Sequence, residues 1–305
     1  MALTIYNDIS IVQLVFFLPS LFIAGTLCYR HGIRRSAGWI YLVILSLMRI
    51  IGASMELATI ASPDNVSLAT GASILQTIGL SPLILMLLGL VTRTYTALPE
   101  HKRPSIPNAQ ILRLMQLVVI VGLILSIVGG TDMSSQVQDA VSKGQPISYT
   151  IPSLTKAGIA LMIVGYVLVL LSSLILTTCL SSIVDGEKRL LMAVLVALPF
   201  VFVRLLYSIL SAFDSSSANF HQFGGSTNAG YVVLGMCTIM EIISAIIFEV
   251  VGMTLPYVPH NERGALLNPT RANNRFDTNG QPLGAYPQQG QNGPSYPKLQ
   301  PNESA

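Results

Sequence analysis

Residues 157–180 read AGIALMIVGYVLVLLSSLILTTCL, a run without a single charged side chain. A helix that spans a membrane needs about 20 mostly apolar residues. The whole chain shares this character, because 51% of its 305 residues are hydrophobic and only 10% are Asp, Glu, Lys or Arg. Soluble proteins carry about 25% charged residues. The composition therefore excludes an ordinary soluble protein.

Six further apolar runs accompany this one along the chain. The seven runs are about 9–29, 37–60, 71–92, 111–130, 157–180, 190–212 and 230–254. Each run is continuous rather than alternating at period two, which excludes a transmembrane β-barrel. The sequence predicts an all-α, seven-transmembrane helix bundle over residues 1–255.

Lys and Arg are distributed unevenly between the connecting segments. The first, third and fifth loops and the C-terminal segment hold thirteen of them, and the opposite side holds Lys143 and Lys156. Because cytoplasmic loops carry the excess of Lys and Arg, we predict the N-terminus outside and the C-terminus in the cytosol. A basic cluster follows the first run and none precedes it, so we expect a retained helix rather than a cleaved signal peptide.

The composition changes abruptly after residue 255. Half of residues 256–305 are Pro, Gly, Gln or Asn, which bury too little apolar surface to fold. We predict a disordered cytosolic tail and consider it a candidate site for a cytosolic partner. Asn65 begins an Asn-Val-Ser triplet on the predicted outer side and is a candidate glycosylation site.

Ionisable side chains inside the predicted spans are the main functional signal. They are Arg49, Glu56, Arg204, Glu241 and Glu249. Each costs about 2.5 to 3.5 kcal/mol near the centre of a membrane helix, so they must face one another or a wet cavity. Tyr207 shares a helix face with Arg204. We therefore predict that the second, sixth and seventh helices enclose a polar interior.

Depth along the helices predicts the partners of these charges. Arg49 and Glu241 both lie near mid-bilayer, whereas Arg204 lies slightly outward of them. We expect Arg49 and Arg204 to share Glu241, with Glu56 approaching Arg204 from the outer side. The acid in excess, Glu249 or Glu56, is expected to be protonated, solvated at the interface, or a cation or proton site.

Two interpretations of this interior remain open at the level of sequence. The charges either form ion pairs that only fix helix order, or they line a cavity that binds a ligand. Intramembrane ionisable residues favour the second interpretation by default.

Prolines inside the runs predict places where a helix bends. Pro19, Pro82 and Pro199 each remove a backbone hydrogen bond, and residues 79–82, Gly-Leu-Ser-Pro, form the most disrupted stretch. Gly79, Pro82 and Pro199 are candidate hinges, although an ordinary kink is equally consistent with a membrane helix.

Signs of catalysis or of cofactor binding are lacking. No histidine has a His or Cys partner at ligand spacing, and no phosphate-binding or nucleophile motif occurs, so no metal, cofactor or enzymatic activity is expected. The alternative is an intramembrane enzyme that uses Glu241 as its base. The final run has no lysine that could bind retinal. A net charge of +3 is too small to indicate a nucleic-acid partner. Arg93 has no acidic neighbour in sequence, which predicts an interfacial anchor.

Several local patterns occur in a characteristic order between residues 8 and 255. They are Tyr29-Arg30-His31-Gly32, Gly38-Trp39, Arg49-Ile50-Ile51-Gly52, Gly79-Leu80-Ser81-Pro82, Pro199-Phe200 with Val203-Arg204 and Tyr207-Ser208, and Met240-Glu241. In these the chain resembles a fungal family of seven-helix integral membrane proteins catalogued as domain of unknown function 7702. The resemblance implies a fungal source and a membrane location without an assigned reaction. In topology the chain is also similar to the fungal lipid-translocating exporters and to fungal receptor-like seven-helix proteins.

These observations predict a function at the membrane, in the plasma membrane or an endomembrane. The leading hypothesis is the binding and translocation or export of a small amphipathic, lipid-like molecule by a protein surrounded by membrane lipids. In this hypothesis Arg49 and Arg204 hold an anionic or polar head, and Glu241 orients them and changes protonation during the cycle. The alternative is a seven-helix sensor that signals through its cytosolic loops and tail. The third interpretation is a structural membrane protein with an ion-paired core.

Overall fold

The computed structural model describes residues 4–31, 37–62, 65–98, 101, 103–143, 151–182, 185–213 and 227–255. Regular structure in these ranges is entirely helical. The α-helices are Ile5–His31, Ala37–Ala58, Val66–Ile78, Leu80–Ala97, Ala109–Ser142, Ser153–Thr178, Asp185–Phe213, Thr227–Val233 and Met240–Thr254. A short 3-10 helix covers Leu180–Ser182, and a π-helix covers Leu234–Ile239.

Seven segments of this described structure are long and apolar enough to cross a membrane. Five consist of one α-helix each, the third joins the helices on either side of Gly79, and the seventh joins two α-helices through the π-helix. The predicted all-α class and the seven spans are thereby confirmed. The predicted orientation of the termini stays a prediction.

The structure moves some of the predicted helix ends. The third span covers Ser67–Ala97 rather than 71–92, and the seventh begins at Thr227 rather than 230. Helix Ala109–Ser142 contains 34 residues and continues well past residue 130, where the prediction ended the fourth span. Apolar composition indicates the part of a helix that lies in lipid, and it does not indicate how far the helix continues into polar surroundings.

The third span lies at the centre of the bundle. In its most apolar stretch 72% of the residues are buried within the protein, against 22% to 56% in the other spans. Every residue from 80 to 91 is buried. The span packs against the second, fourth, fifth and sixth spans. A change in the position of the third span therefore alters its packing against these four spans.

The fourth and fifth spans pack closely through small residues. A Cβ atom added at Gly158 would lie 2.8 Å from the carbonyl oxygen of Gly122 and close to Ser126. Small residues let helix backbones approach in lipid, where association depends on van der Waals packing rather than on the hydrophobic effect. The glycines thus fix one side of the bundle.

Some predictions concern segments outside the described residues. Residues 256–305 are among them, so the disorder of the tail stays a prediction, as do the positions of Arg34, Arg35 and Lys102 in the basic loops.

Candidate functional site

The third span is interrupted at Gly79, between the helices Val66–Ile78 and Leu80–Ala97, within the stretch that the sequence predicts to be the most disrupted. Pro82 has no N–H group for the carbonyl of Ile78, and the hydroxyl of Ser81 donates to that carbonyl instead, at 2.8 Å. A helix that is interrupted leaves backbone carbonyls in the preceding turn without their intrahelical donors. The interruption therefore exposes acceptors in the middle of the bundle.

Three buried charges meet beside this interruption. Nη2 of Arg49 and Nε of Arg204 both donate to Oε1 of Glu241, at 2.5 Å and 2.8 Å. The two arginine side chains are 1% exposed and the glutamate is 0% exposed. The structure thus brings the second, sixth and seventh spans together through these three residues, in the pairing that depth predicts. We call Arg49, Arg204 and Glu241 the charge centre.

Both arginines also donate to backbone carbonyls of the third span. Arg49 and Arg204 each donate to the backbone carbonyl of Gln76, at 3.2 Å and 3.1 Å, and Arg204 also reaches the carbonyl of Thr77 at 3.3 Å. Nη1 of Arg204 donates to the hydroxyl of Ser208 at 2.7 Å. The interruption and the arginines satisfy each other, since each supplies the hydrogen-bonding groups that the other lacks.

The charge centre is not electrically balanced by its side chains. Two guanidinium groups and one carboxylate give a formal charge of +1, which the partial negative charge of the carbonyls reduces. Oε2 of Glu241 and Nε of Arg49 are buried without a hydrogen-bond partner in the described part of the chain. Removing one partner of a buried ion pair costs about 3 to 5 kcal/mol, because it leaves the other charge uncompensated. The arrangement is therefore sensitive to any change in its charges.

Gly79 makes room for this arrangement. A Cβ atom at this position would overlap the guanidinium group of Arg49 and lie 3.0 Å from Glu241. The backbone at Gly79 has ordinary helical angles, so the need for glycine here is one of space and not of conformation.

Two glutamines extend the charge centre towards the first span. Oε1 of Gln76 accepts from Nη1 of Arg49 at 2.6 Å and from Nε2 of Gln13 at 3.2 Å. Gln13 also donates to the hydroxyl of Thr238, in the π-helix, at 3.1 Å. Five spans therefore contribute to one hydrogen-bonded network, where charge alone predicted three.

A cavity of about 240 Å³ begins where this network ends. It lies between the first three spans and also touches Val233 of the seventh. Its wall is formed by Tyr6, Ile9, Ser10, Gln13, Gly52, Glu56, Ala69, Ala72, Ser73, Gln76 and Val233. Ala69 is exposed, whereas Gln13 is buried. The cavity thus leads from the surface to the two glutamines, and Gln76 separates it from Arg49.

Glu56 lies in the wall of this cavity and not beside Arg204. Among the described residues it forms no ion pair, which makes the predicted approach to Arg204 wrong. Its side chain lines the space between the first three spans, because it shares a helix face with Arg49 but lies about 10 Å further along the second helix.

Glu249 occupies a separate polar contact nearer the other end of the bundle. The hydroxyl of Ser20 donates to Oε1 of Glu249 at 2.5 Å and lies 3.1 Å from the hydroxyl of Ser46. No cation lies within ion-pair distance of Glu249 in the part of the chain that the structure describes. Its assignment as the acid in excess stays a prediction.

Arg93 has a partner that its sequence neighbourhood does not reveal. Its Nε and Nη2 donate to the carboxylate of Glu187, with a shortest distance of 2.9 Å, and both side chains are largely buried. The interpretation as a simple interfacial anchor is wrong, because the partner comes from the sixth span, 94 residues away.

The other predicted residues have these positions. The guanidinium of Arg204 lies 5.8 Å from the ring centre of Tyr207, in a cation–π contact. Pro199 is contained within the continuous helix Asp185–Phe213. Gly79 is the interruption itself, and Pro82 lies in the first turn of the helix Leu80–Ala97. Asn65 is exposed and caps the helix Val66–Ile78 by accepting from the N–H of Leu68. Their roles as hinges, ligand contacts or glycosylation site stay predictions.

Gln13 and Gln76 are the residues of the site that sequence reasoning missed. Both are uncharged, so neither carries the insertion cost that singles out an arginine or a glutamate. A search for amide side chains inside the predicted spans would have found both.

Seven apolar spans around a buried charge centre define a multi-pass integral membrane protein with a polar interior. Within that class the chain belongs to the family described as domain of unknown function (DUF7702), which matches residues 3–258. No curated protein and no solved structure matches the chain.

Proposed function

We propose that this protein binds a small amphipathic, lipid-like molecule in the cavity between its first three spans and moves it across the membrane. The observation that carries the proposal is that Gln76 belongs to both the cavity wall and the network of the charge centre. A ligand in the cavity therefore contacts a side chain that also holds Arg49.

The hydrogen bonds of Gln76 supply a way to couple binding to a change of shape. A polar head that bonds to the Gln76 amide competes with Arg49 and Gln13 for its oxygen. A buried donor left without an acceptor costs about 1 to 3 kcal/mol. Movement of Arg49 towards another acceptor then lowers this cost. Its other acceptor in the third span is the backbone carbonyl of Gln76, which precedes the interruption.

Two irregularities in the helices favour such a movement. The third span is interrupted at Gly79, and the seventh contains the π-helix Leu234–Ile239, which ends two residues before Glu241. Single π-helical turns inside α-helices occur frequently at functional sites. Both irregularities lie next to the charge centre, so a change in the charge centre alters the packing of several spans together.

In this proposal the two arginines lie outside the cavity wall and do not contact the ligand. Both are 1% exposed and neither belongs to the cavity wall. They respond to the ligand through Gln76 rather than hold its head directly. No catalytic step is assigned to them.

The proposal is tested by measuring movement of a lipid probe in liposomes. A fluorescent single-chain amphiphile is placed in both leaflets, and its accessibility to a membrane-impermeant quencher is followed with the full chain reconstituted. Gln76→Leu is expected to slow the movement about tenfold, equivalent to about 1.4 kcal/mol, since it removes one coupling hydrogen bond.

Gln116→Leu is the matched control for this experiment. Gln116 donates to the hydroxyl of Tyr41 and lies outside the cavity wall. We expect this variant to move the probe at the wild-type rate. Binding of the probe without movement would overturn the transport proposal and favour the sensor, and no binding would favour a structural ion-paired core.

A further inference from the structure

A second space adjoins the cavity on the side of the lipid. It is a groove of about 590 Å³ between the start of the first span and the start of the seventh. Its walls are Thr4, Ile5, Tyr6, Asp8, Ile9, Val12, Thr227, Tyr231 and Leu234. Tyr6 and Ile9 belong to both spaces, so the groove and the cavity meet at these two residues.

The depth of the groove matches the membrane interface. The seventh span contains 28 residues, and at 1.5 Å per residue its length of about 42 Å exceeds the hydrocarbon core of about 30 Å. The groove lies along the first third of this span, where Tyr231 is exposed as tyrosines at membrane interfaces are. An amphiphile in the leaflet holds its polar head at this same depth.

The charged side chains that the structure describes in the walls of the cavity and of the groove are acidic. Glu56 lies in the wall of the cavity and Asp8 in the wall of the groove. Among the residues that the structure describes, no Lys, Arg or His lines either space. A carboxylate without an ion-pair partner in a partly desolvated wall favours a cation and disfavours an anion.

An unsatisfied hydroxyl marks the junction of the two spaces. The hydroxyl oxygen of Tyr6 is buried and has no hydrogen-bond partner in the described residues. Buried polar groups are normally hydrogen-bonded, and this one belongs to a residue that lines both the groove and the cavity.

We infer that the ligand is a single-chain amphiphile with an amine head, and that it enters sideways from the leaflet between the first and seventh spans. The ammonium head lies in the cavity against Glu56, and the chain lies in the groove and extends into lipid. The cavity of about 240 Å³ is below the 300–1,000 Å³ of sites that enclose a drug-sized ligand, so it holds the head only. This inference rests on the proposed function, since it names the substrate of the same cavity.

Photolabelling of the full chain in zwitterionic nanodiscs tests the head group. Three probes share one photoreactive alkyl chain and differ in the head, which is a primary amine, a hydroxyl or a carboxylate. We expect the amine probe to label about tenfold more than the carboxylate probe, equivalent to about 1.4 kcal/mol. The labelled peptides should come from residues 4–12 and 227–234.

Variants separate the cavity from the groove. Glu56→Gln should abolish the preference for the amine, and Glu249→Gln should keep it, because Glu249 lies in neither wall. Leu234→Trp and Val12→Trp fill the groove and should reduce labelling by all probes. Val15→Trp is their control, because Val15 is 70% exposed on the same first span and lines neither space.

The outcomes of these labelling experiments test the head-group class, the sideways route and the proposed function separately. Equal labelling by the three heads, or a preference for the carboxylate, overturns the amine class and leaves the cavity as a binding site. Unchanged labelling in both groove variants overturns the sideways route. Absence of labelling by every probe overturns the proposed function itself.

The wild-type protein decides the head class even if Glu56→Gln fails to fold. Excess unlabelled hexadecylamine should displace the amine probe, whereas excess palmitate should not. Equal displacement by both competitors contradicts the inference.

Discussion

Glu241 accepts hydrogen bonds from two guanidinium groups on one of its oxygens, so the charge centre depends on it more than on either arginine. Loss of Arg49 leaves a balanced pair of Arg204 and Glu241. Loss of Glu241 leaves two buried positive charges whose remaining partners, backbone carbonyls and the side chains of Gln76 and Ser208, carry no formal charge. The two kinds of substitution therefore have unequal consequences.

We predict that Glu241→Gln lowers the free energy of unfolding by about 3 to 5 kcal/mol, and that Arg49→Gln lowers it less. The measurement is resistance to a denaturing detergent, or the melting temperature, of each purified variant. The double variant Glu241→Gln with Arg49→Gln should recover part of the loss, since it removes one of the unpaired charges. Equal losses in the two single variants would contradict this account of the centre.

Gly79 offers a test of space rather than charge. Gly79→Ala places a methyl group where the guanidinium of Arg49 lies, and overpacking of this kind costs about 1 to 3 kcal/mol. Gly25→Ala is the control, because a Cβ atom there meets nothing within 4 Å, and it should be neutral or stabilise slightly. Melting temperatures check both. If Gly79→Ala and Gly25→Ala have the same melting temperature, the guanidinium group of Arg49 does not need the space that glycine leaves at position 79.

At the scale of the helices, composition and local sequence predict much but not the relative rotation of neighbouring spans. The seven runs follow from apolar composition, and the disturbance at residues 79–82 follows from the missing N–H group of Pro82. The rotation of the second span, which sends Glu56 to the cavity, depends on packing against its neighbours. Glu187 was missed for the same reason, since its partner lies in another span.

The contact between Arg93 and Glu187 provides a prediction at this scale, because it connects the third and sixth spans. Arg93→Ala and Glu187→Ala should each destabilise the protein, and the double variant should show a coupling of about 1 to 3 kcal/mol. Arg93→Lys should not restore the wild type, because lysine cannot form the forked contact. Arg113→Ala, at an exposed arginine, is the control. Additive losses would mean that the contact contributes no energy of its own.

At the scale of the whole molecule, the third span connects the two regions that a transporter has to coordinate. Its first half contributes Gln76 to the cavity, and its second half carries Arg93 to the contact with Glu187. The interruption at Gly79 lies between them, and Arg49 and Arg204 donate to the backbone carbonyls that precede it. A shift of one half relative to the other therefore alters the cavity at one end of the span without requiring the contact at the other end to break.

The described contacts of the cavity and of the charge centre all lie within residues 4–255, so we predict that removal of residues 259–305 leaves them intact. The melting temperature should change by less than about 2 °C, as expected for a loss below about 0.5 kcal/mol. Movement of the amphiphile in liposomes should continue at the wild-type rate. A full-length chain with a scrambled order of residues 259–305 is the control for length and composition. Loss of movement in both variants would place the tail within the transport mechanism, whereas loss of a cytosolic partner alone, with movement intact, would separate signalling through the tail from the action of the seven spans.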